Sequence, residues 1–151
     1  MSDMFRYKGC GLDNVYLVNG YRFTESAAGE TGIYIEDIEG LHKAIARSIV
    51  DDPSPLDAQT FRFLRKELGM SQRNFGELLD VTEGAVSLWE RARQPVPQAA
   101  QIFVRALIKE KCSGNAELMK TIERLNSLDR EERRQIQLEK TNDHWETRLV
   151  A

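Results

Sequence analysis

The feature that most constrains the fold is a series of helix boundary signals in the middle of the chain. Asp57, Ser71 and Thr82 are residue types that cap helix N-termini, and each precedes a segment whose apolar residues have helical spacing. The Ser54-Pro55 pair is an alternative start for the first of these segments. Gly69 and the pair Asp80-Val81 stand where the first two segments would end. The sequence therefore predicts three short helices, whose inward residues are Phe61, Leu64, Leu68, Phe75, Leu78, Leu79, Val86 and Trp89.

A fourth helix is expected directly after this series. Pro95-Val96-Pro97 interrupts the helical pattern, and a new pattern begins near Pro97. Its predicted inward residues are Ala100, Phe103, Ala106 and Leu107. Residues 53–111 thus predict a compact helical domain. Its aromatic residues are interpreted as core rather than as a stacking platform for single-stranded nucleic acid.

The first 52 residues predict a small unit of strands and one helix. Residues 15–18 and 21–23 flank Asn19-Gly20, a pair typical of a two-residue hairpin turn, although one strand that continues through Gly20 also fits. A further strand at 32–35 can join the same sheet. Asp37 then caps a helix with an apolar stripe of Ile38, Leu41, Ile45 and Ile49. We expect Val15, Leu17, Ile33 and Ile35 to pack on this stripe.

The last segment predicts amphipathic helices over residues 112–140 and a flexible tail over 141–151. Leu118, Ile122 and Leu125 have the spacing of one helix face. Ser127 is a candidate start for a second helix that contains Ile136 and Leu138. The predicted fold class of the whole chain is α+β, mostly α.

Charge limits what the chain can bind. Its formal charge of −3 argues against a protein that coats nucleic acid through bulk charge. Residues 1–55 carry a formal charge of −4, residues 56–110 carry +1, and the remainder is neutral. Any nucleic-acid contact is therefore expected to be local and to lie in the middle segment.

The targeting and cysteine signals predict a cytoplasmic protein without a membrane span. The sequence has no run of 18 apolar residues, and its N-terminus lacks the apolar segment of a signal peptide. Cys10 and Cys112 are far apart in sequence, and neither has a neighbouring Cys or His at the spacing of zinc ligands. We expect two free thiols.

The middle segment resembles the helix-turn-helix domain of the lambda-repressor and Xre class of DNA-binding proteins. The resemblance covers residues 57–110 and rests on Leu-Arg-Lys-Glu-Leu-Gly (64–69), Ser71-Gln72, Asp80-Val81-Thr82 and Trp89-Glu90 with a proline shortly after. It implies that helix three lies in the major groove of double-stranded DNA and that the N-terminus of helix two faces a phosphate. It also implies a homodimer on a palindromic operator.

The resemblance implies DNA contacts from three places in this segment. At the start of helix two, Gln72 corresponds to a phosphate and base-edge contact. Helix three turns its outer residues to the bases when Val86 and Trp89 point inward. Arg93 and Gln94, after helix three, match positions that grip the DNA backbone. The implied DNA-binding residues are Ser71, Gln72, Arg73, Asn74, Thr82, Glu83, Gly84, Ser87, Leu88, Arg91, Arg93 and Gln94.

The sequence departs from the family pattern in two respects. Glu83, Gly84 and Leu88 stand where Gln, Asn, Arg or Ser usually read bases. Ala92 stands where glycine is common, and an alanine in a left-handed cap costs on the order of 1 kcal/mol, so we expect this turn to differ. On helix one, Arg62, Arg65 and Lys66 are interpreted as a solvated face in preference to a DNA-binding patch.

Catalytic, metal and cofactor signals are weak. His42 lies beside the apolar stripe of the first helix and is interpreted as a partly buried structural residue, in preference to a catalytic base. Cys10 has no His partner that the sequence places nearby. The chain lacks a phosphate-binding loop, a nucleophile elbow and an H-E-x-x-H motif. We therefore expect no enzymatic activity, no metal and no cofactor.

The order of strands, helix and helix-turn-helix is similar to that of the MqsA/YgiT antitoxins. This resemblance implies a repressor of its own operon whose N-terminal domain neutralises a toxin. The zinc cysteines of those proteins are missing except for Cys10, so zinc is not implied here. An alternative is a protein-binding adaptor with little ability to read DNA. For the dimer contact the C-terminal helices are favoured slightly over the N-terminal sheet edge, and Tyr16, Tyr21 and Tyr34 mark a candidate partner site.

Overall fold

A computed structural model of the chain describes residues 3–114, 116–127 and 135–148. These residues form six helices and six short strands, and the predicted fold class, α+β and mostly α, is confirmed. The strands are β1 (Phe5–Arg6), β2 (Tyr16–Leu17), β3 (Tyr21–Glu25), β4 (Thr31–Ile35), β5 (Leu138–Thr141) and β6 (His144–Thr147). The helices are α1 (Ile38–Asp51), α2 (Ala58–Glu67), α3 (Gln72–Leu79), α4 (Glu83–Glu90), α5 (Gln98–Cys112) and α6 (Ala116–Ser127).

The N-terminal strands pair in a different way from the prediction. β1 pairs with β2 and β3 pairs with β4, both antiparallel, so Asn19-Gly20 joins two strand pairs and the predicted hairpin around it is wrong. The β3–β4 hairpin closes instead through the loop 26–30, where the Ser26 N–H donates to the Glu30 carbonyl at 2.8 Å. The turn propensity at Gly20 therefore does not decide which strands pair; the pairings of β1 with β2 and of β3 with β4 depend on residues elsewhere in the chain.

Helix α1 begins as predicted, but the sheet does not pack on it as predicted. Asp37 caps the helix, and its side chain accepts from the Gly40 N–H at 3.1 Å. The buried face of α1 consists of Ile45, Ala46 and Val50, with Leu41 and Ile49 half-buried and Ile38 exposed. Ile33 is also exposed, which corrects its predicted place on the stripe. Leu12, from the loop between β1 and β2, joins the core cluster with the residues of α1.

The four middle helices follow the predicted boundary signals. Asp57, Ser71 and Thr82 each cap the helix that follows, through a side-chain oxygen that accepts from the N–H three residues later. Phe61 packs edge-on against Phe75 and Trp89, with ring centroids 5.3 and 5.9 Å apart. On α5 the buried residues are Ala100, Val104, Leu107 and Ile108, with Phe103 half-buried. Ala106 is exposed, so its predicted burial is wrong: the apolar face runs through Val104 and Ile108 instead.

The turn after α4 contradicts the expectation that Ala92 would avoid a left-handed conformation. Ala92 has a φ of 56°. Its N–H donates to the Trp89 carbonyl at 3.2 Å, and the Arg93 N–H donates to the Leu88 carbonyl at 2.9 Å. These bonds satisfy carbonyl groups at the end of the helix, and they hold a conformation that glycine would adopt with less strain.

The C-terminal segment contains one helix and one hairpin within the described residues. Helix α6 contacts α5 and α3, with Ile122 buried and Leu118 half-buried. The side chain of Leu125 and residues 128–134 lie outside the described residues. The predicted second helix is wrong from Gln135 onward, because residues 135–137, which include Ile136, are not helical, and β5 then pairs with β6 around the turn Asn142-Asp143. The predicted flexible tail is likewise an antiparallel strand pair as far as Thr147.

Candidate nucleic-acid interface

Helices α3 and α4 are joined by the three-residue turn Asp80-Val81-Thr82. Gly76 permits this arrangement, because a Cβ at its position would lie 2.8 Å from the Val81 carbonyl oxygen. The Val81 N–H donates to the Gly76 carbonyl at 2.9 Å. Asp80 ends α3 in the left-handed region with a φ of 58°. Gly76 was not among the residues predicted to matter, although a glycine inside an otherwise helical segment is a signal of close packing.

The orientation of α4 agrees with the sequence prediction. Val86 and Trp89 are buried in the core. The residues on the opposite side reach solvent to different degrees. Thr82, Glu83, Gly84 and Arg91 are exposed, and Ser87 and Leu88 are half-buried. The helix thus presents a continuous outer face, which begins with an acidic residue and ends with a basic one.

The N-terminus of α3 is open to solvent beside this face. The Ser71 hydroxyl oxygen accepts from the Asn74 N–H at 3.0 Å. The N–H groups of Gln72 and Arg73 belong to the first helical turn, where backbone donors have no partner inside the helix. Such donors and the helix dipole favour an anion at this end. Arg73 and Asn74 are exposed at the same place, and Arg73 contacts Glu77 at 3.4 Å.

A buried ion pair connects α2 to the end of α4. The Arg65 Nε and Nη2 donate to the two carboxylate oxygens of Glu90 at 2.6 and 2.8 Å. The Arg65 Nη1 donates to the Met70 carbonyl at 2.7 Å. The side chains of Arg65 and Glu90 are only 8% and 2% exposed. The predicted solvated face is therefore wrong at Arg65.

The sequence held a signal for the burial of Arg65 that the charge pattern obscured. Arg65 follows Phe61 by four residues and precedes Leu68 by three, so it shares the helix face of two core residues. A cation on that face requires a buried anion. The anion is Glu90, which is 25 residues away in sequence.

The same carboxylate positions two polar residues at the candidate interface. The Gln72 Nε2 donates to the Glu90 Oε1 at 3.2 Å, which holds Gln72 between the start of α3 and the end of α4. The Arg62 Nε lies 3.9 Å from that oxygen, and its side chain is largely exposed. Arg62 was interpreted as part of a solvated face. Its position beside Gln72 adds it to the cations near the N-terminus of α3.

The loop after α4 brings the remaining candidate residues to the other end of the face. Arg93 and Gln94 are exposed, and both backbone N–H groups donate to the Leu88 carbonyl, at 2.9 and 3.3 Å. The Arg91 Nε donates to the Ser87 carbonyl at 3.4 Å. Arginines thus stand after the C-terminal end of α4, and Arg62 and Arg73 stand near the start of α3. Glu77, Asp80 and Glu83 are the exposed acidic residues on and between α3 and α4.

A second polar cluster surrounds His42, away from this face. The His42 Nε2 is 2.9 Å from the Tyr7 hydroxyl, and its Nδ1 is 3.1 Å from the Glu67 Oε1. Both His42 and Glu67 line a cavity of about 390 Å³ between α1, α2 and α5. Burial raises the pKa of Tyr7 above its ordinary value, and electrostatic interactions with the side chains of Cys10 and Glu67 raise the pKa further. His42 is partly buried, as the sequence predicted.

Comparison with known proteins found no similar protein. A scan against protein-family models found no match, and neither did searches of curated proteins and of solved structures. Within the described ranges, no three side chains of His, Cys, Asp or Glu are grouped in a way that can hold a metal ion. Among the same residues, no helix combines the length and the apolar character needed to cross a bilayer.

Proposed function

We propose that this protein is a sequence-specific DNA-binding transcriptional regulator, a repressor that binds a palindromic operator as a homodimer through α4. The observation that carries the proposal is the exposed outer face of α4 beside the open N-terminus of α3, with both held by the contacts of Glu90 to Arg65 and Gln72. Such a regulator acts in the cytoplasm and needs no metal or cofactor for this binding.

The dimensions of α4 suit a major groove. An α-helix with its side chains is about 10–12 Å in diameter, and the major groove of B-form DNA is about 12 Å wide, so α4 can enter the groove. With Val86 and Trp89 fixed in the core, the helix presents Glu83, Ser87 and Arg91 on the side opposite to them. Arg91 can bond to guanine, and Glu83 can accept from the cytosine amino group.

Phosphate contacts are assigned to both ends of the face. The N-terminus of α3 with Arg62 and Arg73 would bind one phosphate region, and Arg93 with Gln94 would bind another. Three arginines per chain give about six contacts for a dimer, so log K should fall with log salt with a slope near −5. This local set of cations is compatible with the overall acidic charge of the chain.

Two substitutions test the assigned face. We expect Gln72→Ala and Arg91→Ala each to weaken binding to the selected duplex by about 5- to 150-fold, because each loses a contact to DNA worth about 1–3 kcal/mol. Arg47→Ala is the matched control, since Arg47 is an exposed arginine on α1. Equilibrium binding and thermal unfolding are measured for all three variants. Unchanged affinity for both Gln72→Ala and Arg91→Ala would refute the assigned face.

A protein-binding adaptor, or an antitoxin that neutralises a partner, is the second candidate. The observation that favours it is the exposed β3–β4 hairpin, where Phe23 is 72% exposed within an N-terminal segment of net negative charge. A toxin bound there would present an apolar surface with basic residues around it. A tight protein complex together with no sequence-selective DNA binding at low salt would favour this candidate over the repressor.

A further inference from the structure

The backbone pattern of the β3–β4 hairpin shows which groups its outer edge presents. The Glu36 N–H donates to the Gly20 carbonyl at 2.9 Å, and the Ser26 N–H donates to the Glu30 carbonyl at 2.8 Å. Hydrogen-bonded pairs alternate along an antiparallel ladder, so Gly32 and Tyr34 direct their backbone groups to β3. Thr31, Ile33 and Ile35 therefore direct their N–H and carbonyl groups away from the hairpin.

This outer edge lacks the usual protection against strand pairing. β4 reads Thr-Gly-Ile-Tyr-Ile, with no charged residue and no proline. Natural edge strands carry lysine, proline or a bulge, because an open edge is a template for another strand. β3, by contrast, carries Arg22 and Glu25. Within β4 the Ile33 side chain is 36% exposed, and Tyr34 is exposed beside it.

We propose that β4 pairs antiparallel with β4 of a second copy of this chain, with the two Ile33 residues opposite each other on the two-fold axis. The result is a four-stranded sheet in the order β3, β4, β4, β3. In this register every N–H and carbonyl group on the outer edge of β4 has a hydrogen-bonding partner, because Thr31 of each copy faces Ile35 of the other. An axis perpendicular to the sheet keeps Phe23 and Ile33 of both copies on one face.

The side chains of β4 are complementary to themselves in this register. Each Tyr34 lies opposite Gly32 of the second copy, and a glycine that lacks a side chain leaves room for an aromatic ring above it. Ile33 faces an identical β-branched residue, a pairing that is favourable in sheets. Within β4 itself no two charges face each other, whereas Glu30, just before the strand, lies opposite Glu36 of the second copy at each end of the pairing. Arg22 already lies over the Tyr34 ring at 4.5 Å, which fixes that ring near the edge.

The β4 pairing would be the dimer contact of the DNA-binding form, and in that role the inference rests on the proposed function. The pairing itself can be measured without DNA. It replaces the C-terminal helices as the favoured dimer contact. A two-stranded hairpin has little stability alone, whereas four strands form a sheet of ordinary size. The edge pairing thus gives a structural reason for the exposed hairpin.

Sedimentation velocity of the full chain with charged variants at the axis tests the pairing. Ile33→Lys and Ile33→Glu each place two like charges opposite each other, so we expect each variant alone to be monomeric. An equal mixture of the two should form a heterodimer, because opposite charges then face each other. The matched control is Ile102→Lys, since Ile102 is 60% exposed on α5, and this variant should remain dimeric like the unmodified chain.

The outcomes separate this inference from the proposed function. A monomeric unmodified chain, a dimeric Ile33→Lys variant, or a mixture that stays monomeric would overturn the β4 pairing. If Ile33→Lys dimerises and still binds a palindrome as two chains, the pairing fails and the proposed function stands. If the mixture forms the heterodimer but the unmodified chain selects no DNA sequence, the pairing stands and the proposed function fails. Far-ultraviolet circular dichroism confirms that each variant is folded.

Discussion

At the scale of single residues, the contact between Arg65 and Glu90 is the feature with the largest expected energetic effect. Both side chains are almost fully buried, and the arginine bonds to both carboxylate oxygens. Removing one partner of such a pair leaves the other charge buried without compensation. The pair also holds the position of Gln72. Stability and the candidate interface therefore depend on the same carboxylate.

We expect Arg65→Met to lower the free energy of unfolding by about 3–5 kcal/mol, because Glu90 then remains buried without its cation. Adding Glu90→Leu should restore most of the loss, since replacing both partners by apolar residues is often nearly neutral. Urea unfolding of the two single variants and the double variant measures this coupling. A loss below about 1 kcal/mol for Arg65→Met would contradict the buried pair and match an ordinary surface contact.

Ala92 provides a second test at this scale. Its left-handed conformation suggests that Ala92→Gly raises the free energy of unfolding by about 1 kcal/mol. Ala44→Gly is the control, because Ala44 lies exposed inside α1 and the same change there should cost about 1 kcal/mol. Thermal unfolding measures whether each variant is more or less stable than the unmodified chain. Equal losses in the two variants would show that the left-handed turn is absent.

At the scale of the helices and strands, the close contact of α3 with the turn before α4 depends on Gly76. Gly76→Ala would bring a Cβ to 2.8 Å from a backbone oxygen that belongs to the turn. We expect a net loss of about 1–2 kcal/mol, because the clash exceeds the gain in helix propensity. Gly84→Ala is the matched control on α4, where a Cβ has room and the change should stabilise the helix. A stabilising Gly76→Ala, measured by urea unfolding, would refute this close approach.

The sequence could predict the elements whose signals are local. The caps at Asp37, Ser71 and Thr82 involve hydrogen bonds across three residues, so a short window contains all the information. Strand partners could not be predicted in this way. β2 lies just before Asn19-Gly20, a pair that favours a turn into the next strand, yet β2 pairs with β1, whose residues lie 10 and 12 positions earlier in the chain.

At the candidate site, too, the features that depend on nearby residues could be predicted and the contacts between distant residues could not. The exposed outer face of α4 followed from the burial of Val86 and Trp89, which helical periodicity predicts. The contacts among Arg65, Glu90 and Gln72 join three helices, and no local pattern pairs an arginine with a carboxylate 25 residues away. The hairpin β5–β6 was missed because Leu138 continued an apparent helical pattern.

At the scale of the whole molecule, one hydrophobic cluster joins the loop between β1 and β2 and helix α1 to the helical segment. Leu12, Ile45 and Phe61 belong to this cluster although they come from different predicted domains. Arg105 on α5 adds polar contacts, because its guanidinium donates to the carbonyls of Val50 at 3.2 Å and Asp52 at 2.7 Å. The linker after α1 is therefore tied to α5.

We propose that two copies of this chain read a two-fold symmetric DNA sequence through α4. The most direct measurement is selection of bound duplexes from a random library at near-physiological salt, with the mass of the complex determined on the selected duplex. We expect enrichment of one palindrome and two chains per duplex. Absence of any enriched sequence, with only weak binding that disappears as salt rises, would contradict it.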